Sequence, residues 1–319
     1  MNLLHWLHEA QEPHRCLNFF KTKCVQFYPN DVTQLSPLDF HVLGYCIFHS
    51  NCSWDLDISW ANFDSTSVKR IFDTCTAIGS MTTSGHGHIS TLRAYHNCCH
   101  KTFCSILELP HAILQGLKTI DLGENKCITS KSLDKLAKVL ETIGLPNLEV
   151  LNLSNTSVGE GGAVSLIRAL RTSSSTISSL CLSGSEIGHN DTEELRKLLM
   201  VSRTLSCLDI HGNPFSFESL QLISIGLAIT TSLTSLDLSY MEFDQSVIEH
   251  LSAALGVNHT LKSLNLTCCG IDSEGAFNLA EVLERNKTLK ILFVQRNEVG
   301  EDGAKAFGEM LKKNKSLKV

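Results

Sequence analysis

The sequence predicts an α/β solenoid in which short parallel strands alternate with helices. Two observations predict this fold class. One segment recurs at nearly constant spacing over most of the 319 residues. Within each recurrence the apolar spacing changes from every second residue, as in a strand, to every third or fourth residue, as in a helix.

The recurring segment reads L-x-x-L-x-L-x-x-N or a near variant, which is the pattern of a leucine-rich repeat. The copies from Ile177 to Leu289 start 28 residues apart, and Leu317 opens a truncated copy. An interval of 36 residues between the first two copies predicts an additional loop. The copies start at Ser53, Ile89, Leu117, Leu148, Ile177, Leu205, Leu233, Leu261 and Leu289.

Each copy predicts one strand, one turn and one helix. The leucines at offsets three and five alternate on one face of the strand. The asparagine at offset eight is expected to bond the backbone where the strand ends, at Asn97, Asn125, Asn213 and Asn297. Helical spacing follows at 132–143, 193–202, 247–255, 276–286 and 304–314. One repeat cannot bury its core alone, so residues 51–319 are expected to stack about nine repeats and a truncated one into one domain, with strands concave and helices convex.

Residues 1–50 do not follow the repeat. The stretch from Leu3 to Ala10 predicts a short amphipathic helix. Ser36 and Pro37 suit the N-cap and the first position of a second helix, which continues through FHVLGYCIFHS. This segment is expected to be a helical cap, because an uncovered terminal repeat would expose the core to water.

Composition excludes several classes. The net charge of −6 and the lack of a basic run predict no nucleic-acid partner. No apolar run is long enough for a membrane span, and the opening stretch lacks the apolar centre of a signal peptide. The thirteen cysteines then predict free thiols and a cytoplasmic location.

A group of histidines and cysteines between His86 and His111 has the side chains that zinc prefers. The repeat offers another interpretation, since Cys99 and Cys127 fall at an offset that is otherwise apolar and Cys269 falls at the asparagine offset. No C-x-x-C pair occurs, so the first expectation is no metal site, with a zinc protein as an alternative. The candidate ligands are His86, His88, His96, Cys98, Cys99, His100, Cys104 and His111.

Neither a phosphate-binding loop nor a nucleophile elbow is present. The sequence therefore predicts no enzyme, no catalytic residue and no cofactor. Binding of a protein partner on the concave face is expected instead, since strand residues between the leucines point there. Aspartates at offset four are explained by the repeat consensus. Aromatic, charged and histidine side chains on this face are the candidate contacts: Trp60, Arg93, Tyr95, His96, Glu124, His211, Tyr240, Phe293 and Arg296.

Two further stretches resemble NOD-like receptors. LLHWLHEAQEP resembles a helix late in their NACHT module, and LSPLDFHVLGYCIFHSNCSWDLDIS resembles the junction with their repeats. The 28-residue repeats are similar to the ribonuclease-inhibitor-like class of those receptors. The resemblance covers the whole chain and implies a horseshoe with a helical cap, acting as a sensor or autoinhibitory surface in innate immune signalling.

Those receptors carry a NACHT domain and an effector domain ahead of this region, and neither is in the given sequence. Nucleotide binding is therefore not carried over. The expectation is a fragment of a longer receptor, with the NACHT domain as a partner in cis. The alternatives are a stand-alone regulator similar to ribonuclease inhibitor or to a Ran GTPase-activating protein, and the zinc protein described above.

Overall fold

The structure is a computed structural model that describes residues 24–26, 36–49, 53–59, 88–94, 116–172 and 175–318. Ten strands occur in these ranges, and they pair in parallel and in chain order to form one sheet. The strands are β1 (Cys24–Gln26), β2 (Ser53–Asp57), β3 (His88–Arg93), β4 (Thr119–Asp121), β5 (Val150–Asn152), β6 (Ser179–Cys181), β7 (Cys207–Asp209), β8 (Ser235–Asp237), β9 (Ser263–Asn265) and β10 (Ile291–Phe293).

A helix separates most successive strands in the described ranges. The helices are α1 (Pro37–His49), α2 (Ser130–Thr142), α3 (Val164–Thr172), α4 (His189–Val201), α5 (Phe217–Ile229), α6 (Gln245–Val257), α7 (Ser273–Leu283) and α8 (Gly300–Lys313). Helices in consecutive repeats pack against each other, from α2 to α8. The predicted fold class, an α/β leucine-rich-repeat solenoid, is confirmed. None of the described helices has both the length and the apolar content that a bilayer crossing needs.

Leucines in register form the core side of the sheet. Leu151, Leu180, Leu208, Leu236 and Leu264 are paired partners on β5 to β9, and each is at most 1% exposed. Their strand neighbours on both sides are only half-buried. Burial of one leucine side chain stabilises the fold by about 2 kcal/mol. Stacking of the repeats therefore supplies the buried apolar surface that a single repeat cannot form alone.

Asparagines at offset eight bond the backbone where the strands end, as predicted. Asn213 donates to the carbonyl oxygens of Leu182 and Ile210 at 2.9 and 2.7 Å, and its Oδ1 accepts the amide of Ser185 at 3.1 Å. Asn125 and Asn297 make equivalent donor contacts. Asn97 lies outside the described residues. These asparagines join each repeat to the one before it.

Other polar side chains replace asparagine at this offset. Thr156 and Ser185 each donate to the carbonyl oxygen of Leu153 at 2.8 Å. The buried thiol of Cys269 donates to the carbonyl oxygen of Leu238 at 3.2 Å. Cys269 is therefore a core residue, as its position in the repeat predicts.

The expectation for Cys127 needs a correction. The structure leaves Cys127 half-buried at the border of the core, and the neighbouring Ile128 is fully buried instead. The larger isoleucine side chain fills the space that this offset provides, so the thiol remains partly in contact with solvent. Cys99 lies outside the described residues.

The helices start two to four residues earlier than their apolar spacing predicts, as α6 and α8 show. Polar residues and glycines in the first turn cause this difference, since they carry no apolar signal, and some helices also have an aspartate cap. Asp244 and Asp272 each accept a backbone amide of the following turn at 2.8 Å, from Val247 and Gly275.

Helix α1 confirms the predicted second helix. Ser36 Oγ accepts the amide of Asp39 at 3.4 Å, and Asp39 accepts the amide of Ser36 at 2.6 Å, which is a reciprocal cap. Phe40, Leu43 and Ile47 of α1 are buried and belong to the core of the repeats.

The structure adds strand β1, which precedes α1 and pairs with β2. Helix α1 therefore occupies the place of a repeat helix, between two strands. The predicted domain boundary at residue 50 stays a prediction, and the predicted helix at 3–10 lies outside the described residues.

Candidate partner-binding face of the sheet

The sheet has one face that the helices leave open. Neighbouring strands lie about 4.8 Å apart and packed helices about 8–10 Å apart, so the stack bends toward the strands and this open face becomes concave. In each repeat the open face carries the residues at offsets two, four, six and seven. Those at offsets two and four are half-buried or exposed along β4 to β10.

At offset seven the chain turns through the left-handed region in seven consecutive repeats. Glycine holds this position in only two of them, so five repeats place a side chain where it is strained by about 1–2 kcal/mol. Tyr240 is the largest of these side chains. The residues and their φ angles are Glu124 (59°), Asn155 (52°), Gly184 (57°), Gly212 (62°), Tyr240 (57°), Cys268 (58°) and Arg296 (56°).

Carboxylates and amides at offset four form a row along the strand ends. Asn152 donates to Asp121 at 2.9 Å, and Asn265 donates to Asp237 at 2.8 Å. Asp237 also accepts the amide of Ser239 at 2.9 Å and so closes the turn after β8. These bonds give the offset-four aspartates a structural role, in agreement with the repeat consensus.

Burial raises the pKa of Asp121, although hydrogen bonds from Gly123 and Asn152 act in the opposite direction. The effect of desolvation on the pKa of Asp121 is therefore larger than the opposing effect of these hydrogen bonds. Asp121 is held within the sheet surface and is not free to reach a partner.

Apolar side chains are exposed at the C-terminal end of the open face. Tyr240, Ile291 and Phe293 are 53%, 43% and 41% exposed. The rings of Tyr240 and His211 lie 6.3 Å apart between centroids, at an angle of 50°. We call His211, Tyr240, Ile291 and Phe293 the aromatic patch. Three strand spacings separate β7 from β10, so the patch spans about 15 Å.

Two predicted contacts lie away from this patch. Arg93 forms a partly exposed ion pair with Asp55 at 3.7 Å, and Glu124 accepts a hydrogen bond from Asn155 at 2.8 Å. Five strand spacings, about 24 Å, separate β3 from β8. The sheet therefore brings His211, Tyr240 and Phe293 to one end of the open face and leaves Arg93 and Glu124 at the other.

The remaining predicted contacts are placed as follows. Arg296 is exposed beside the aromatic patch, in the turn after β10. Trp60, Tyr95 and His96 lie outside the described residues. Of the proposed zinc cluster, the described residues include only the backbone of His88, so the alternative of a zinc site there stays a prediction.

Ile291 was not among the predicted contacts. An isoleucine in a strand is usually a core residue. Its position at offset two is the signal that identifies it, because the equivalent residues Ser235 and Ser263 also lie on the open face.

The Cys181 thiol on the open face is not an activated nucleophile. Burial raises the pKa of the Cys181 thiol to about 12, and the nearby Asp209 carboxylate acts in the same direction. The thiol donates to Asp209 Oδ2 at 3.3 Å. The thiolate, which is the reactive form, is therefore disfavoured at neutral pH.

Comparison with known proteins supports the repeat. The family model described as "Leucine Rich repeat" matches residues 257–280 and 285–308. No curated protein matches the sequence significantly. Two solved structures show a partial likeness, and neither exceeds a TM-score of 0.5.

The first is leiomodin-1 actin-binding site 2, with 19% identity and a TM-score of 0.38, over 43% of this chain and 80% of that chain. The second is the tropomodulin C-terminal domain of Caenorhabditis elegans, with 21% identity and a TM-score of 0.41, over 48% of this chain and 92% of that chain. The family model identifies leucine-rich repeats at residues 257–280 and 285–308, and the same strand–turn–helix geometry extends from β4 to α8.

Proposed function

We propose that this chain is a protein-binding scaffold whose partner docks on the aromatic patch. The observation that carries the proposal is the exposure of Tyr240, Ile291 and Phe293 on a face whose residues on the described strands β6 to β9 are polar or small. Aromatic and arginine side chains are the usual anchors of protein interfaces, and Arg296 lies at the border of this patch.

The strain at Tyr240 supports the same site. A tyrosine at φ 57° is less stable than a glycine there, and Gly212 shows that glycine fits the equivalent position one repeat earlier. An exposed aromatic ring in a strained turn adds little to the core. Its retention is more easily explained by contact with a partner than by folding.

We further propose that the scaffold acts without catalysis. The thiol of Cys181 supports this view, because burial raises its pKa to about 12 and so disfavours the nucleophilic thiolate. The finer proposal is the repeat region of a cytoplasmic NOD-like receptor, acting as a sensor or autoinhibitory surface. It is supported by the junction-like segment, in which Ser36 caps α1 directly before the first full repeat.

The docking proposal is tested with a Tyr240→Ala/Phe293→Ala double variant and a Phe277→Ala control. Phe277 is 59% exposed but lies on α7, away from the open face. Proteins captured by the wild type should be retained by the control and lost by the double variant. Equal capture by all three proteins, with unchanged far-ultraviolet circular dichroism, would contradict the proposal.

The receptor proposal is tested on the full-length transcript. A NACHT reading frame joined upstream of Met1 supports it. A complete transcript without that reading frame contradicts the receptor and favours the stand-alone regulator, while the docking proposal remains open to its own test.

A further inference from the structure

Two neighbouring strands, β7 and β8, and the turn after β7 place metal-ligating side chains together on the open face. Asp209 and Asp237 are register partners on β7 and β8, and His211 follows two residues after Asp209. One carboxylate oxygen of each aspartate and one ring nitrogen of His211 lie within 4.8 Å of one another. All three side chains are half-buried. We call them the Asp–His–Asp cluster.

The repeat consensus accounts for each aspartate alone but not for their pairing. In the offset-four row from β3 to β9, Asp121 lies between the cationic Arg93 and the neutral Asn152. The neutral Asn265 follows Asp237 on the next strand. Only Asp209 and Asp237 lie directly side by side in this described part of the row.

Like charges on directly opposed strand positions destabilise a sheet. In the described part of the chain, no lysine or arginine forms an ion pair with either carboxylate; the side chain beside them is His211, whose Nδ1 lies 2.8 Å from Asp209 Oδ1. A bound cation would offset the repulsion between the two carboxylates. The arrangement therefore favours a positively charged ligand at this point.

We propose that the Asp–His–Asp cluster binds one divalent transition-metal ion of the class of Zn²⁺. One imidazole nitrogen and two carboxylate oxygens are ordinary zinc ligands. The site goes beyond the docking proposal and does not depend on it.

Imidazole makes the site more suitable for Zn²⁺ than for Mg²⁺ or Ca²⁺, which prefer sites built from oxygen alone. Three protein ligands leave a tetrahedral ion with one further position, and the cluster lies on the open face. That position is available to water or to a side chain of a bound protein.

Cys181 has a supporting role in this arrangement. Its thiol donates to Asp209 Oδ2 at 3.3 Å from the preceding strand, β6. It acts as a hydrogen-bond donor that positions the carboxylate, and it is not one of the three grouped ligands.

The test uses the complete chain, treated with chelator and then titrated with Zn²⁺ by isothermal calorimetry. The variants His211→Ala and Asp237→Asn should each weaken binding at this site at least about tenfold. Asp121→Asn is the matched control, since it alters an aspartate of the same row that has no histidine beside it and should leave the affinity unchanged. Mg²⁺ and Ca²⁺ should not compete.

Thermal unfolding separates loss of the site from loss of the fold. Zn²⁺ should raise the Tm of the wild type and of Asp121→Asn. Asp237→Asn removes the repulsion but also one acceptor of the bonds from Ser239 and Asn265, so its own Tm without metal is the baseline, and its Zn²⁺-dependent shift should disappear.

Two results would overturn the proposal. One is a wild type that binds no Zn²⁺. The other is a wild type whose stoichiometry and affinity persist in both His211→Ala and Asp237→Asn, because the ion would then lie elsewhere, as in the group between His86 and His111.

Discussion

Replacing Asn213 by alanine should destabilise the solenoid by about 2–4 kcal/mol. Asn213 is 4% exposed and donates two hydrogen bonds to backbone carbonyls. Its Oδ1 also accepts the amides of Ser185 and Ile187 at 3.1 and 3.2 Å. The variant leaves these two buried amides without an acceptor. Each such group costs about 1–3 kcal/mol, and water entering the vacated space keeps the sum in the lower part of that range.

Urea unfolding measures this change in free energy, and amide hydrogen exchange locates it. Ser185 and Ile187 should lose protection first, because the repeat interface opens locally. Asn152→Ala is the matched control. Asn152 is also a strand-end asparagine, with bonds to Asp121 and to the amide of Ser154, but it is half-buried, so water replaces its contacts and the change should stay below about 1 kcal/mol.

Equal destabilisation by the two variants would refute this reasoning, since burial would then not decide the outcome. Unchanged protection of Ser185 and Ile187 in Asn213→Ala would refute it as well, because their amides would have found another acceptor.

Three further predictions concern local conformation and charge. Tyr240→Gly should leave the Tm unchanged or raise it by stabilising the turn by up to about 1 kcal/mol, because glycine is not strained at φ 57°; a clear fall in Tm would instead indicate that the tyrosine ring packs. The Arg196 guanidinium lowers the pKa of Glu193 to about 2, so the stability that Glu193 contributes is present above its ordinary pKa of 4.5 and is lost as pH falls toward 2. Urea midpoints should show Glu193→Gln less stable than the wild type by about 0.5 kcal/mol at pH 7, a value reduced for solvent screening of the partly exposed Arg196–Glu193 pair. This difference in stability should vanish near pH 2. Burial raises the pKa of Asp191 above its ordinary value of 3.8, so its contribution is largest below that pH and is lost as pH rises through the raised pKa. Asp191→Asn does not ionise, and urea midpoints should therefore shift in its favour relative to the wild type as pH rises through that range.

The leucine period predicted the parts of the fold that depend on burial. A leucine at offset three has to face the core, and a slip of one residue would turn it to solvent. The pairing of Leu208 with Leu180 and with Leu236 therefore follows from the sequence. The hydrogen bonds of Asn213 followed from the same argument, because a buried amide side chain needs partners.

Other features could not be predicted from the period. Strand β1 is three residues long and has no leucine, so it carries no repeat signal. The left-handed turns at Glu124, Tyr240 and Arg296 carry no glycine to mark them. Asp191 looks like an ordinary polar residue of a helix start. In the structure it is buried and accepts the amides of Gly161, Ala163 and Gly188 at 2.6, 2.9 and 2.9 Å.

The Asp–His–Asp cluster could be predicted from the sequence only in part. Both aspartates stand at a predicted offset, and the predicted parallel register places them side by side. The repeat consensus explained each residue separately and so hid the pair. A row of equivalent positions is informative when neighbouring repeats are compared, because charge repulsion acts between strands and not along one of them.

Comparison of equivalent positions in neighbouring repeats also distinguishes the later repeats from the middle ones. At offset seven the middle repeats carry Gly184 and Gly212, for which the left-handed turn has no steric penalty. The later repeats carry Tyr240, Cys268 and Arg296 in the same conformation, at a cost in stability. All three side chains are exposed, so packing does not recover that cost. Backbone strain that no contact within the fold offsets is expected at sites that bind another molecule. The strained turns therefore support the proposal that the partner docks on the C-terminal half of the sheet.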